Sequence, residues 1–146
     1  MVFKKKSFFS DSEKQQIVDA IRKAELMTSG EIKVHIEKEC ASDPYGRALE
    51  VFLKLKMNAT SQKNATLIYL AYGDKKFAIL GDKGINDVVP ANFWDTTKEQ
   101  MSSHFRKSEF LEGIVFAIKE TGKQLKQYFP YLSNDKNELN DEISEG

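Results

Sequence analysis

Apolar residues recur with a helical period in four segments of the chain. The first segment follows Ser10, and Glu13 three residues later completes a capping-box pattern. The fourth follows Ser108, which we expect to cap that helix. The apolar positions that define the four helices are Ile17, Ile21 and Ala24; Ala48, Val51, Phe52 and Leu55; Phe93, Trp94, Met101 and Phe105; and Phe110, Leu111, Ile114, Ala117, Ile118, Leu125 and Phe129.

Three other segments carry the patterns of β-strands. Residues 31–37 alternate between apolar and polar side chains, which predicts a strand with one covered face and one more polar face. Residues 67–72 are continuously apolar, which is typical of a central strand covered on both faces. Gly73 and Asp74 predict a two-residue hairpin turn, so residues 77–80 should pair antiparallel with the preceding strand.

The order of these elements predicts an α/β fold. The apolar strand needs cover on both sides, and four amphipathic helices can supply it. We therefore expect a three-layer α/β/α sandwich around a small mixed β-sheet of about four strands. No repeat or linker divides residues 1–131, which we interpret as one domain. Residues 132–146 are predicted to form a disordered acidic tail, because only Lys136 offsets the acids Asp135, Glu138, Asp141, Glu142 and Glu145.

The charge balance and the cysteine count narrow the class of protein. Lys and Arg together number 22, as do Asp and Glu, so a basic surface for nucleic acid is not expected. Cys40 is the one cysteine, which excludes an internal disulfide. The first residues lack the apolar run of a signal peptide, and no segment approaches the roughly 20 apolar residues of a membrane span. We expect a cytoplasmic protein without membrane insertion; a signal peptide removed beforehand would leave the same sequence.

Several common kinds of catalytic and metal site do not match the sequence. Zinc sites of the usual kinds take three or four His, Cys or carboxylate ligands at short spacings, and this chain has two histidines and one cysteine. The G-x-S-x-G elbow of hydrolases and the phosphate-binding P-loop are missing. We therefore interpret His35 as a residue of the polar strand face and His104 as a helix-surface residue.

The segment GDKGIND, residues 81–87, is the strongest candidate for binding chemistry. Asp82, Asn86 and Asp87 offer side-chain oxygens, which are the ligands that hard cations such as calcium prefer. A second source of oxygens is needed to complete such a site. The segment FRKSEFLEG, residues 105–113, offers Glu109 and Glu112 if both segments lie at the same end of the sheet. The alternative is a solvated turn, since Asp, Asn and Gly are ordinary turn residues.

The order of several short motifs resembles that of the TPM domain family. The motifs are TSGEIKV at residues 28–34, the GDKGIND loop, the Phe93-Trp94 pair, and FRKSEFLEGI at residues 105–114. This resemblance implies an α/β/α sandwich with a divalent-metal site, often for calcium, between the loop after a strand and the loop before the last helix. It would place Asp82 and Asp87 in the first loop and Glu109 in the second. Asn86 and Ser108 stand where many relatives have an acid and a glycine.

Three functions remain open at this point. The first is a divalent-metal binding module, with calcium as the first choice and Mg²⁺ or Mn²⁺ as alternatives, whose ordered loops favour an unidentified protein partner. The second follows from the resemblance to plant relatives described as acid phosphatases, and is a weak metal-dependent phosphomonoesterase. No nucleophile or general acid stands out for that reaction, and Arg106 is the nearest candidate to orient a phosphate. The third is a purely structural interaction domain.

Overall fold

The chain forms a four-stranded sheet with helices on both faces. The computed structural model describes residues 7–132 and 138–146. The strands are β1 (Ile32–Glu37), β2 (Thr66–Ala71), β3 (Lys76–Gly81) and β4 (Ser144–Glu145). The helices are α1 (Asp11–Glu25), α2 (Pro44–Lys54), α3 (Lys83–Asn86), α4 (Asp95–Arg106) and α5 (Phe110–Leu125), with a 3₁₀ turn at Met57–Ala59. The predicted helices and strands are confirmed, and the structure adds the short elements α3 and β4.

The sheet is mixed, with the strand order β3-β2-β1-β4. β1 and β2 run parallel, β3 returns antiparallel to β2, and β4 lies parallel to β1 at the outer edge. The start of β2 at Thr66 pairs with the end of β3 at Gly81. The carboxyl ends of β1 and β2 therefore lie at one end of the sheet, and the carboxyl end of β3 lies at the other.

Two apolar clusters separate the three layers, which confirms the predicted α/β fold. Val34, Ile68 and Ile79 face one cluster, which α1, α4 and α5 complete. Leu67 and Leu80 face the second cluster, which α2 and the 3₁₀ turn complete. Among the described residues, no helix is long and apolar enough to cross a bilayer.

Local signals explain where the elements begin and end. The capping box of α1 is present, with Ser10 Oγ accepting from the amide of Glu13 and Glu13 Oε1 accepting from the amide of Ser10. The predicted cap of α5 is wrong, because Ser108 lies in the left-handed region (φ 60°) and Glu109 takes the N-cap position. The hairpin between β2 and β3 is present, but its connection spans residues 72–75, two residues more than predicted.

The C-terminal segment (residues 138–146) corrects the prediction of a disordered tail. Its residues Ser144 and Glu145 form β4 against β1, and the amide of Gly146 donates to the carbonyl of Ile36 at 2.9 Å. The composition of this segment predicts solvation, but its polar groups find specific partners on the sheet edge. The rest of the predicted tail includes residues 133–137, which lie outside the described residues.

Candidate functional site

The GDKGIND segment forms a compact turn, here called the α3 loop (residues 81–87), at the end of β3. Asp82 caps α3, and its Oδ1 accepts from the amide of Lys83 at 2.7 Å. Its Oδ2 is buried without a hydrogen-bond partner. The side-chain amide of Asn86 donates back to the carbonyl of Gly81 at 3.1 Å, while Asp87 is exposed. Most of the polar groups of the loop therefore serve the turn itself.

The second predicted group of ligands lies where α4 joins α5. Glu109 Oε1 is 3.0 Å from His104 Nδ1, and the amide of Glu109 donates to the carbonyl of His104 at 2.9 Å. Glu112 is exposed in the first turn of α5. The interpretation of His104 as a surface residue missed this partner, because the left-handed residue Ser108 is what turns Glu109 back toward α4.

These two groups of residues lie at opposite ends of the sheet. The α3 loop follows Gly81, which pairs with the first residue of β2. The α4–α5 connection lies beside the β2–β3 hairpin instead, where Lys75 Nζ donates to the carbonyl of Arg106 at 3.2 Å. A six-residue strand separates the two ends by about 17 Å.

The predicted site shared by both loops is therefore not assembled. Calcium ligands lie about 2.3–2.6 Å from the ion, so Asp82, Asn86 and Asp87 cannot share one with Glu109 and Glu112. In the part of the chain that the structure describes, no three His, Cys, Asp or Glu side chains are grouped to hold a metal ion. The residues present do not fit the two-loop metal site that the family resemblance implies.

Sequence reasoning missed a buried polar network on the α2 side of the sheet. The carboxylate of Glu37 accepts from Arg47 through Nε to Oε2 and Nη2 to Oε1, both at 2.9 Å. The hydroxyl of Tyr69 also donates to Oε2, and His35 Nε2 lies 3.1 Å from Oε1. Lys33, His35 and Glu37, expected on a more polar strand face, are all buried. The signal available in the sequence was Arg47, placed one turn into the helix that covers this strand.

The network fixes the ionisation of its members. The two hydrogen bonds from Arg47 hold the pKa of Glu37 down to about 2. Burial lowers the pKa of His35, so the ring is neutral at pH 7, and Ser144 Oγ lies 2.8 Å from its Nδ1. Burial and the negative charge of Glu37 raise the pKa of Tyr69. Both oxygens of Glu37 thus accept hydrogen bonds from neighbouring side chains.

The C-terminal segment is attached to the outer edge of β1 mainly through polar contacts. Lys33 Nζ donates to Asn140 Oδ1 at 2.7 Å, and the amide of Glu138 donates to Glu31 Oε1 at 2.7 Å. Two apolar side chains also pack, since Leu139 contacts the second cluster and Ile143 the first. Two partly exposed ion pairs lie at the rim, namely Lys14–Glu145 at 3.4 Å and Arg22–Asp141 at 3.7 Å. The sheet edge is therefore covered by a short acidic strand with few apolar anchors.

Comparisons with known proteins agree with this fold. Residues 2–124 match the TPM domain family, so the chain belongs to that family. It is similar to the BA42 protein of the psychrophilic bacterium Bizionia argentinensis, whose NMR structure has a TM-score of 0.91 and 48% sequence identity over 98% of this chain and 99% of that one. The N-terminal domain of cg2496 from Corynebacterium glutamicum shares the fold, with a TM-score of 0.62 and 14% identity over 88% of this chain and 79% of that one. No curated protein matches the sequence.

Proposed function

We propose that this TPM domain is a non-catalytic interaction module that binds an extended acidic peptide along the outer edge of β1. One observation carries the proposal: β1 has six residues, but β4 pairs only with His35 and Ile36. An edge strand presents unpaired amides and carbonyls that can pair with another chain, and several peptide-binding domains use such an edge.

The backbone of β1 supports pairing over a longer stretch. The carbonyls of Glu31 and Glu37 accept amides on the β2 side, while the amide of Ile32 and the carbonyl of Ile36 point to the outer edge. The amide of Ile32 is covered by the side chain of Glu25 at 3.0 Å instead of a strand. The side chain of Glu25 is easier to displace from this amide than a paired strand would be. A longer peptide can therefore pair with the whole edge of β1.

The side chains that rim this edge define the chemistry of the partner. Lys14, Arg22 and Lys33 all contact the C-terminal segment, and two of them pair with its acids. The segment ELNDEISEG, residues 138–146, is itself the best description of the ligand. The expected partner is an extended acidic peptide with apolar residues where Leu139 and Ile143 pack.

The buried network supports a binding role rather than catalysis. Glu37 and His35 form buried hydrogen bonds near the carboxyl ends of the strands, where α/β enzymes usually place their reactive groups. Both side chains are held by intramolecular partners. They therefore stabilise the sheet edge to which the peptide would bind.

Replacing Ser144 by proline in the full chain should open the edge to an added peptide. Proline has no amide to donate and is poorly accepted in a paired strand. The C-terminal segment competes with an added peptide for the edge. The apparent Kd of the peptide is therefore its intrinsic Kd divided by the fraction of molecules whose edge is not covered by this segment. We expect a fluorescein-labelled peptide ELNDEISEG to bind Ser144→Pro at least ~10-fold more tightly than the wild type, measured by fluorescence anisotropy.

Ser144→Ala is the matched control, because it keeps the amide and removes only the hydroxyl near His35. This variant should bind the peptide within about threefold of the wild type. Equal, weak binding by the wild type and Ser144→Pro, with the proline variant folded by circular dichroism, would overturn the proposal.

Divalent-cation binding stays a prediction, although not at one site shared by both loops, and so does a phosphomonoesterase activity. A calcium titration followed by amide chemical shifts tests the first, with Asp82→Ala and Glu109→Ala as separate variants. Because the two loops lie at opposite ends of the sheet, each substitution should abolish only the shifts of its own loop, residues 81–90 or 106–113. If one substitution abolished both sets of shifts, the result would contradict the placement of the two loops at opposite ends of the sheet. Turnover of a chromogenic phosphate ester by the purified domain tests the second.

A further inference from the structure

Residues of β4 point alternately to the two faces of the sheet. Ser144 pairs with His35, and its Oγ lies 2.8 Å from His35 Nδ1 on the face that α2 covers. Because side chains alternate along a strand, Glu145 points to the opposite face and position 146 returns to the α2 face. A side chain at position 146 would therefore face the buried network around Glu37. The residue at that position is glycine.

A side chain at position 146 would overlap this network. A Cβ added to Gly146 would lie 2.5 Å from Glu37 Oε1, 3.0 Å from His35 Nε2 and 3.1 Å from Glu37 Cβ. Non-bonded carbon atoms in contact are usually about 3.5–4.0 Å apart, so all three distances are short. The main chain cannot move outward without cost, because the amide of Gly146 donates to the carbonyl of Ile36 at 2.9 Å. The position therefore accepts glycine and excludes larger residues.

The carboxylate of Glu37 is held in place against the bound segment. Arg47 donates to both of its oxygens at 2.9 Å, and the hydroxyl of Tyr69 donates to Oε2. Glu37 is 8% exposed and His35 is 5% exposed, so little free space surrounds them. Moving the carboxylate away from position 146 would break hydrogen bonds to a charged group, which are roughly twice as strong as those between neutral groups. Arg47 is therefore a positioning residue for Glu37.

The same network sets the chemistry of the position opposite His35. The carboxylate of Glu37 only accepts hydrogen bonds, so His35 Nε2 carries the proton between them. Burial lowers the pKa of His35, so its ring is neutral and Nδ1 is an acceptor. The hydroxyl of Ser144 therefore donates to Nδ1. A carboxylate in its place would bring two acceptors together, whereas alanine would lose only one hydrogen bond.

We propose that the fixed surface of Glu37 and His35 selects the peptide that binds the edge of β1, and that it requires glycine two residues after a hydroxyl residue. The ligand class is then an extended acidic peptide that contains Ser-x-Gly. For added peptides this inference rests on the proposed function. The same selection acts on the C-terminal segment of the chain itself, where it can be tested without a ligand.

Gly146→Ala in the full chain tests the glycine requirement. The hydrogen-exchange protection of the amide at position 146, which donates to Ile36, reports the pairing of the segment. After correction for the intrinsic exchange rate, the substitution should lower this protection at least ~10-fold through crowding. Glu145→Ala is the matched control, because that side chain points to the other face and lies near only a partly exposed partner, Lys14. Its protection should stay within about threefold of the wild type.

A change of background shows whether crowding against Glu37 is the cause. In Glu37→Ala the carboxylate is missing, so the effect of Gly146→Ala should be at least ~3-fold smaller than in the wild-type background. Arg47→Ala, which frees the carboxylate to move aside, provides a second background if Glu37→Ala folds poorly. The same loss of protection in these backgrounds as in the wild type, or a loss below threefold in the wild type, would overturn the glycine requirement.

Added peptides then test the selection at the edge itself. Anisotropy with the full-length Ser144→Pro variant compares the labelled peptide ELNDEISEG with versions that carry Gly146→Ala, Ser144→Asp or Glu145→Ala. The first two should bind at least ~10-fold more weakly, and the third within about threefold of the parent peptide. Equal binding of all four overturns the selection and leaves the edge site standing. If none binds while Gly146→Ala still lowers protection in the chain, the proposed function fails and the selection of the segment stands.

Discussion

Replacing Arg47 by alanine should lower the free energy of unfolding at pH 7 by about 2–3 kcal/mol. Breaking a buried ion pair typically costs about 3–5 kcal/mol, because the remaining charge is left without its partner. The smaller value applies here because the side chain of Arg47 is 32% exposed, so water can partly replace it. Tyr69 and His35 also continue to contact Glu37. Urea unfolding followed by circular dichroism measures the change.

The effect of this substitution should depend on pH in a direction that identifies Glu37 as its origin. The pKa of Glu37 falls from 4.5 to about 2 in the folded protein, so the stability it contributes is present above pH 4.5 and is lost as the pH falls toward 2. The difference between the wild type and Arg47→Ala should therefore shrink over this range. Glu50→Ala removes the exposed partner of Arg47 and should cost less than about 0.5 kcal/mol. A cost equal to that of Arg47→Ala would assign the effect to the surface pair instead.

Replacing Gly84 by alanine should destabilise the domain by about 1–3 kcal/mol through backbone crowding. A Cβ at this position would lie closer than 3.0 Å to the carbonyl oxygens of Gln62 and Lys63. These oxygens belong to the main chain and cannot rotate away, and the amide of Gly84 donates to the carbonyl of Lys63 at 2.8 Å. The α3 loop must therefore move away from residues 62–63. Urea unfolding measures the cost, and amide chemical shifts at residues 62–63 locate the movement.

Gly46→Ala is the matched control for the second prediction. Its Cβ would meet only Asp43 Oδ2, at an ordinary contact distance of 3.7 Å. Because Gly46 lies in α2, alanine there should be neutral or stabilising by up to about 1 kcal/mol. If both glycine substitutions changed stability alike, close approach would not be the reason for glycine at position 84.

The sequence predicted the elements of this fold far better than it predicted the site. The spacing of apolar residues locates each long helix and strand, because the faces that an element buries are visible in its own local sequence. The pairing of Asp82 with Glu109 required knowledge of which connections share an end of the sheet. The predicted hairpin already contained that information, since an antiparallel β3 must deliver the α3 loop to the start of β2. Family resemblance and composition place the site in both loops, but neither of them contains that geometry.

The network and the C-terminal strand could not be predicted for a different reason. Glu37 is 10 residues from Arg47 and 32 residues from Tyr69, and although Arg47 is a visible signal, these contacts exist only after α2 packs on the sheet. The two residues of β4 are surrounded by acids, so local composition favours solvation. The partners of the C-terminal segment on the sheet are more than 100 residues away, since Lys33 contacts Asn140 and His35 contacts Ser144.

The ammonium group of Lys14 joins the beginning and the end of the described chain. It donates to Ser7 Oγ at 2.6 Å and lies 3.4 Å from Glu145 Oε2. Ser7 and Glu145 therefore lie at the same corner of the molecule, joined by one ammonium group. A substitution of Lys14 would act on both ends of the described chain at once.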